Sequence, residues 1–218
     1  MNVIKVTADE KTAKAWVVSK MIDRIEGTYA DFIADVKGFD KIPWFFRQHL
    51  YSPSNKEARD AALDSLYEKL KSVTGPEMTE NIHKLIRLNK LTDELDLLTA
   101  RHLLQEKWPR GLPPENDLKI EELNIAIVQA GRLTEREQQI DLICETLNFF
   151  FNLSKLPLIR LVMAPIKVAA SMVGASELIS TMEAGYELSR GIRDMKVFAT
   201  AFAEREKGLL HQMAAKHS

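Results

Sequence analysis

Glu80 and His83 stand at Glu-x-x-His spacing, which on a helix puts a carboxylate and an imidazole on one face. That is how one helix offers two ligands to a di-iron centre, but the chemistry needs a second such pair and further glutamates from facing helices. The sequence holds no second Glu-x-x-His and no His-x-x-x-His. A solvated helical face is therefore the expectation for this pair, with no metal and no cofactor. His49 and His102 lie on apolar stripes, while His211 and His217 stand near the C-terminus. A lone histidine on such a stripe is more often a satisfied core or cap residue than a catalyst. Cys144 is the only cysteine, and its helical neighbours Ile140, Ile143, Leu147 and Asn148 supply no base to activate it. Nucleophile-elbow, P-loop and dinucleotide-binding glycine motifs are absent. No catalytic residue is expected.

Two features remain that bear on binding. Arg136 shares the helical line of Ile140, Ile143 and Leu147, so it is expected to enter or border the core and to need a carboxylate. Asp60 and Glu183 are the candidates for that partner, the three together forming a buried polar clamp or, as the lesser reading, the polar floor of a ligand site. The second feature is the 31-residue stretch between Glu145 and Glu177, which has no carboxylate, carries only Lys155, Arg160 and Lys167, and is broken by Pro157, Pro165 and Gly174. Such a stretch must be buried in a core, pressed on a partner or lipid, or wrapped round an apolar ligand. Its expected fate is mainly core, with Arg160, Ala164, Lys167 and Ser171 on one narrow polar face. Snorkelling basic side chains keep peripheral membrane contact and a partner groove as alternatives. An apolar ligand such as an acyl chain would sit among Phe45, Phe46, Phe150, Phe151, Met163 and Met172, with Tyr51 and Arg160 completing the ligand or interaction candidates.

The elements that must position these residues are helices. Capping-box pairs at Thr7/Glu10, Ser54/Glu57, Thr74/Glu77 and Thr134/Glu137 predict helices beginning near residues 8, 55, 75 and 135. The first runs to Gly38 and is bent; a short second one is capped by Asp40 with Pro43 in its first turn. Leu88, Leu91, Leu95 and Leu98 mark the fourth at heptad spacing. Met195, Phe198, Phe202 and Leu209 align on the last. No alternating run suggests a strand. The fold class is all-α, a multi-helix bundle of about nine helices forming a single domain over residues 1–218. The punctuation from Trp108 to Pro114 allows a variant with two lobes, 1–106 and 117–218, meeting near residues 107–116.

The chain has 218 residues, 45% of them hydrophobic, and a formal charge of −1. It offers no electrostatic footprint for a phosphate backbone, so nucleic acid is not an expected partner. The first twenty residues carry no signal-peptide pattern. The longest uncharged runs of the apolar stretch, Thr146 to Ser154 and Val168 to Ser176, fall far short of the ~20 residues a membrane span needs. A cytoplasmic setting follows as the expectation.

Three stretches together resemble a family of uncharacterised, all-helical proteobacterial proteins of about this length with an FFLxxLY-like motif. They are Arg24-Ile25-Glu26-Gly27-Thr28-Tyr29-Ala30-Asp31 with Phe45-Phe46, Leu50-Tyr51 and Arg59-Asp60; Arg136 to Ile143; and Leu156 to Pro165 with Gly174 and Glu183-Ala184-Gly185-Tyr186. Ser52-Pro53-Ser54-Asn55 departs from a glycine-proline turn in that pattern, and Ser176-Glu177 replaces an expected glycine. The resemblance implies a helical fold and a bacterial source but no activity. The preferred expectation is a non-enzymatic interaction or regulatory protein with a protein partner or self-association. Binding of an apolar small molecule is the alternative, and an enzyme whose site forms only in three dimensions is third.

Overall fold

The computed structural model describes residues 6–35, 38–50, 65, 67–68, 75–155, 159–173 and 176–217; at 35, 49, 50, 159–163, 165 and 176–178 it describes the backbone alone. These residues form a single all-helical domain of nine α-helices, with no strand among them. Helix α1 (Ala8–Thr28) begins on the expected capping box. The Thr7 hydroxyl accepts from the Glu10 amide at 3.2 Å, and the Glu10 carboxylate accepts from the Thr7 amide at 2.7 Å. At Tyr29 the backbone leaves helical geometry with φ −113° and ψ 20°. The one bent helix expected to reach Gly38 is thus two, with α2 spanning Ala30–Asp35. Gly38 then reverses the chain at φ +95°, where an added Cβ would also lie 2.6 Å from the Gly191 carbonyl oxygen. Both demands select glycine. A 3₁₀ turn (Phe39–Lys41), the four-residue α3 (Ile42–Phe45) and a π turn (Phe46–Leu50) follow, and Asp40 sits within the 3₁₀ turn instead of capping α3.

Helix α4 (Pro76–Glu106) starts from Gly75 with proline in its first turn, a position where the missing amide costs nothing. Ser54, Glu57 and Thr74, named in two expected capping boxes, lie outside the described residues. Helices α5 (Ile120–Gln129) and α6 (Leu133–Ser154) are joined by Gly131 and Arg132, both left-handed, at φ 84° and 60°. That turn starts α6 early, so Thr134 falls inside the helix and caps nothing. Helices α7 (Ile159–Met172), α8 (Ser176–Arg190) and α9 (Met195–His217) complete the chain.

Helix α6 is the hub, packing on α4, α8 and α9, while α5 bridges α1 and α9. The larger core cluster draws residues from both sides of the 107–116 turn. It is rich in rings: Phe198 lies 5.4 Å from Tyr29, 5.5 Å from Phe32 and 5.2 Å from Phe39, and Phe45 lies 6.0 Å from Phe150. Tilted and edge-on pairs at such spacings each add roughly 0.5–1.5 kcal/mol beyond area burial. Contact is close enough that a Cβ on Gly185 of α8 would lie 2.5 Å from the Phe150 ring. A smaller cluster at the other end packs Ala13, Val17, Ala100, Leu103, Trp108, Leu118, Leu123 and Ala126. There the Trp108 indole donates to Asp117 at 3.0 Å and meets Trp16 edge-on. No helix among the described residues is long and apolar enough to cross a membrane.

Candidate ligand-binding cleft

Helix α9 buries Met195, Phe198, Phe202, Glu206 and Leu210 along one line, so a carboxylate stands where the pattern calls for a hydrocarbon. Glu206 is met by Arg24, which α1 buries to the same degree. The guanidinium forks onto the carboxylate at 3.3 and 2.5 Å, and the Tyr29 hydroxyl donates to the same carboxylate at 3.0 Å. Burial and the neighbouring Glu206 charge hold the Tyr29 phenol far above its usual range, so it stays a donor. The next residue, Arg205, turns outward and forks onto Asp31 at 2.9 and 2.6 Å, donates to the Thr28 carbonyl at 2.8 Å, and lies over the Tyr29 and Phe32 rings. One donor of the inner pair remains unmet: Arg24 Nε is buried without a partner among the described residues.

A second buried guanidinium comes from α6. Arg136 donates from Nη2 to the Thr99 hydroxyl at 2.9 Å and from Nε to the Gly131 carbonyl at 3.2 Å. Burial pulls its pKa down to about 10, partly offset by the charge of buried Asp96. It is still a cation near neutral pH. Arg24, Arg136 and Glu206 all line one partly open cavity of about 70 Å³ between α1, α5, α6 and α9. The remaining walls are mostly apolar, including Ile25, Ile127, Ile140, Ile143 and Leu209, with the amides of Asn124 and Gln139 among them. Chemically this is a small hydrophobic slot with two guanidiniums and one carboxylate on its walls.

A family model described as domain of unknown function (DUF8198) matches residues 6–218. The chain belongs to the DUF8198 family. This is an uncharacterised family, as the three stretches led one to expect, and the match contains all of them. No curated protein and no solved structure matches this DUF8198 chain.

Within the DUF8198 fold the residues singled out from sequence part company. Arg136 enters the core and lines the cleft, but Glu183 does not partner it: Glu183 is half exposed on α8 and pairs with Lys167 of α7. Phe45, Phe46 and Phe150 are fully buried in the ring cluster, where a Cβ on Gly185 would meet the Phe150 ring, and none of the three lines the cleft. Phe151 is partly buried under the Lys155 ammonium, 4.6 Å from its ring centroid. Met172 is 69% exposed, because α7 packs chiefly on α8 and leaves Ala164, Lys167, Val168, Ser171 and Met172 outward. Tyr51 and Asp60 lie outside the described residues, as do the side chains of Arg160 and Met163. Glu80 is exposed, His83 stacks on Tyr67 at 4.8 Å, and among the described residues no cluster could hold a metal ion. The Cys144 thiol donates to the Ala199 carbonyl, and burial pushes its pKa up to about 11. Glu206 and Thr99 escaped the sequence reading. The signal for Glu206 was present in the four-residue step from Phe198 through Phe202.

Proposed function

We propose that this DUF8198 protein is a non-enzymatic binding protein that takes a small amphipathic molecule into the cleft between α1, α5, α6 and α9. One observation carries the reading: two buried arginines line one apolar-walled, partly open cavity, while in the ring cluster beside it Phe150 leaves no room for a Cβ on Gly185. Buried charge is costly unless something pairs with it, and apolar slots with a few convergent polar groups are the usual form of small-molecule sites. This moves the ligand away from the phenylalanines favoured on sequence and onto Arg24, Arg136 and Glu206. A cytoplasmic setting accords with the single, unreactive Cys144. Native mass spectrometry of protein from its own host, followed by thermal-shift measurements with a panel of amphiphiles, tests the reading. A retained small mass or a dose-dependent rise in melting temperature is expected for the wild type, reduced in Leu209→Trp, which enlarges a side chain of the cavity wall. No retained mass and no shift with any amphiphile would sink it.

A second reading, the protein-interaction role, draws on the outward face of α7, where Val168 and Met172 are 60% and 69% exposed one turn apart. Sedimentation over a range of concentrations is its test. Self-association abolished by Val168→Glu with Met172→Glu would support it, and a monomer throughout would remove self-association.

A further inference from the structure

Resting on that reading, we infer that the ligand is a short-chain monocarboxylic acid, its carboxylate held by Arg136 and its aliphatic tail laid against Ile127, Ile140 and Leu209.

Charge matching selects Arg136. Arg24 is already forked onto Glu206, with the Tyr29 hydroxyl completing that set. Arg136, in contrast, donates to the neutral oxygens of Thr99 and Gly131, at 2.9 and 3.2 Å, and the charge of buried Asp96 offsets only part of the cost of its burial. It also stands about one turn into α6, near the positive end of the helix, where a cation is the less favoured charge and an anion the more favoured one. A guanidinium of five donors matches a planar carboxylate in geometry as well as charge. The same cavity is lined by Glu206, which repels a second negative charge and so favours a monoanion over a phosphate dianion.

Size and polarity set the rest of the molecule. A cavity of about 70 Å³ holds roughly five to seven water-sized groups. That is the non-hydrogen count of an acid of roughly three to five carbons, and because the cavity is partly open longer tails reach out of it. The apolar walls reward the tail and not a sugar or a second polar group.

Calorimetry and thermal shift on the full chain decide the matter, using butanoate and hexanoate, the neutral isostere hexanamide, hexyl phosphate, and acetate as the tail-free control. Hexanoate is expected to bind at least roughly tenfold more tightly than hexanamide, with acetate ineffective. Arg136→Gln should bring hexanoate down to the level of hexanamide; if that variant does not fold, the comparison of acid with amide on the wild type still decides. Equal binding of acid and amide overturns the carboxylate assignment while leaving the cleft as a ligand site. Tighter binding of hexyl phosphate than of hexanoate overturns the monoanion. Binding of none of the five overturns this inference, and the cleft reading falls with it only if the wider panel of amphiphiles is silent too.

Discussion

The ring cluster and the charged cleft are built on the same two helices. Helix α9 gives Phe198 and Phe202 to the rings and, one turn on, Glu206 and Leu210 to the cleft. Helix α6 gives Phe150 to the rings and Arg136, Ile140 and Ile143 to the cleft. At the ring end no space remains even for a methyl on Gly185. At the cleft end there is an open volume, a buried ion pair, a second guanidinium that donates to neutral oxygens and feels the charge of Asp96, and a donor on Arg24 without a partner among the described residues. Close packing supplies stability in proportion to area and contact, whereas buried charges seldom repay their desolvation. The contrast sets a part of the molecule that holds the helices together beside a part that carries buried charge, and the second is the one we propose for recognition.

The sharpest test of that separation is truncation at the ring end. Phe150→Ala should lower unfolding free energy by about 3–5 kcal/mol in chemical denaturation while leaving a cleft ligand bound in the surviving fold. A loss below about 1 kcal/mol would mean the rings are not the stabilising element. Removing one side of the buried pair should be of comparable size, since Glu206→Ala strands a buried guanidinium at a cost of about 3–5 kcal/mol. The distinguishing outcome is the double variant Arg24→Met with Glu206→Leu. It should recover most of that loss, and failure to do so would make the pair a stability device and not a polar cost. Overpacking comes next: Gly185→Ala should cost about 1–3 kcal/mol through the Phe150 ring, and a silent substitution would show the ring end to be looser than the geometry implies.

The smallest effect is electrostatic and lies on the outer side of the Tyr29 bend. Hydrogen bonding from Arg205 holds the Asp31 carboxyl at about 2, below its usual 3.8. A depressed carboxyl pKa contributes stability that is present above the unfolded value and lost as pH falls through the folded one. Denaturation midpoints of wild type and Asp31→Asn should therefore differ modestly at neutral pH and converge as the pH drops from about 4 to about 2. A difference that persists below pH 2 would rule out the ion pair as its source.

How much of this could be read from residues alone depended on the kind of signal. The all-helical class came from three-four spacing, which tertiary packing reinforces. Thr7 capped α1 as its box required, its hydroxyl accepting from the Glu10 amide. Thr134 failed as a cap because Gly131 and Arg132 take left-handed turns and begin α6 before it, and a box pattern carries no information about such turns. Arg136 was legible as a cation on an apolar line, yet its partners Thr99 and Gly131 were not, since neither carries the charge that a search for partners looks for. The apolar stretch misled over Met172: its composition reads as core, and only the docking of α7 on α8 decides which half of the helix faces out.

Arg205 and Glu206 are consecutive, so their side chains leave α9 roughly 100° apart around its axis. Both fasten to the same junction of α1 and α2, one to Asp31 and Thr28 from outside, the other to Arg24 and Tyr29 from within. A helix gripped on two bearings is keyed against rolling, because any rotation that eases one grip strains the other. Rolling is thus the motion least open to α9, and the double grip keeps Glu206 turned towards Arg24.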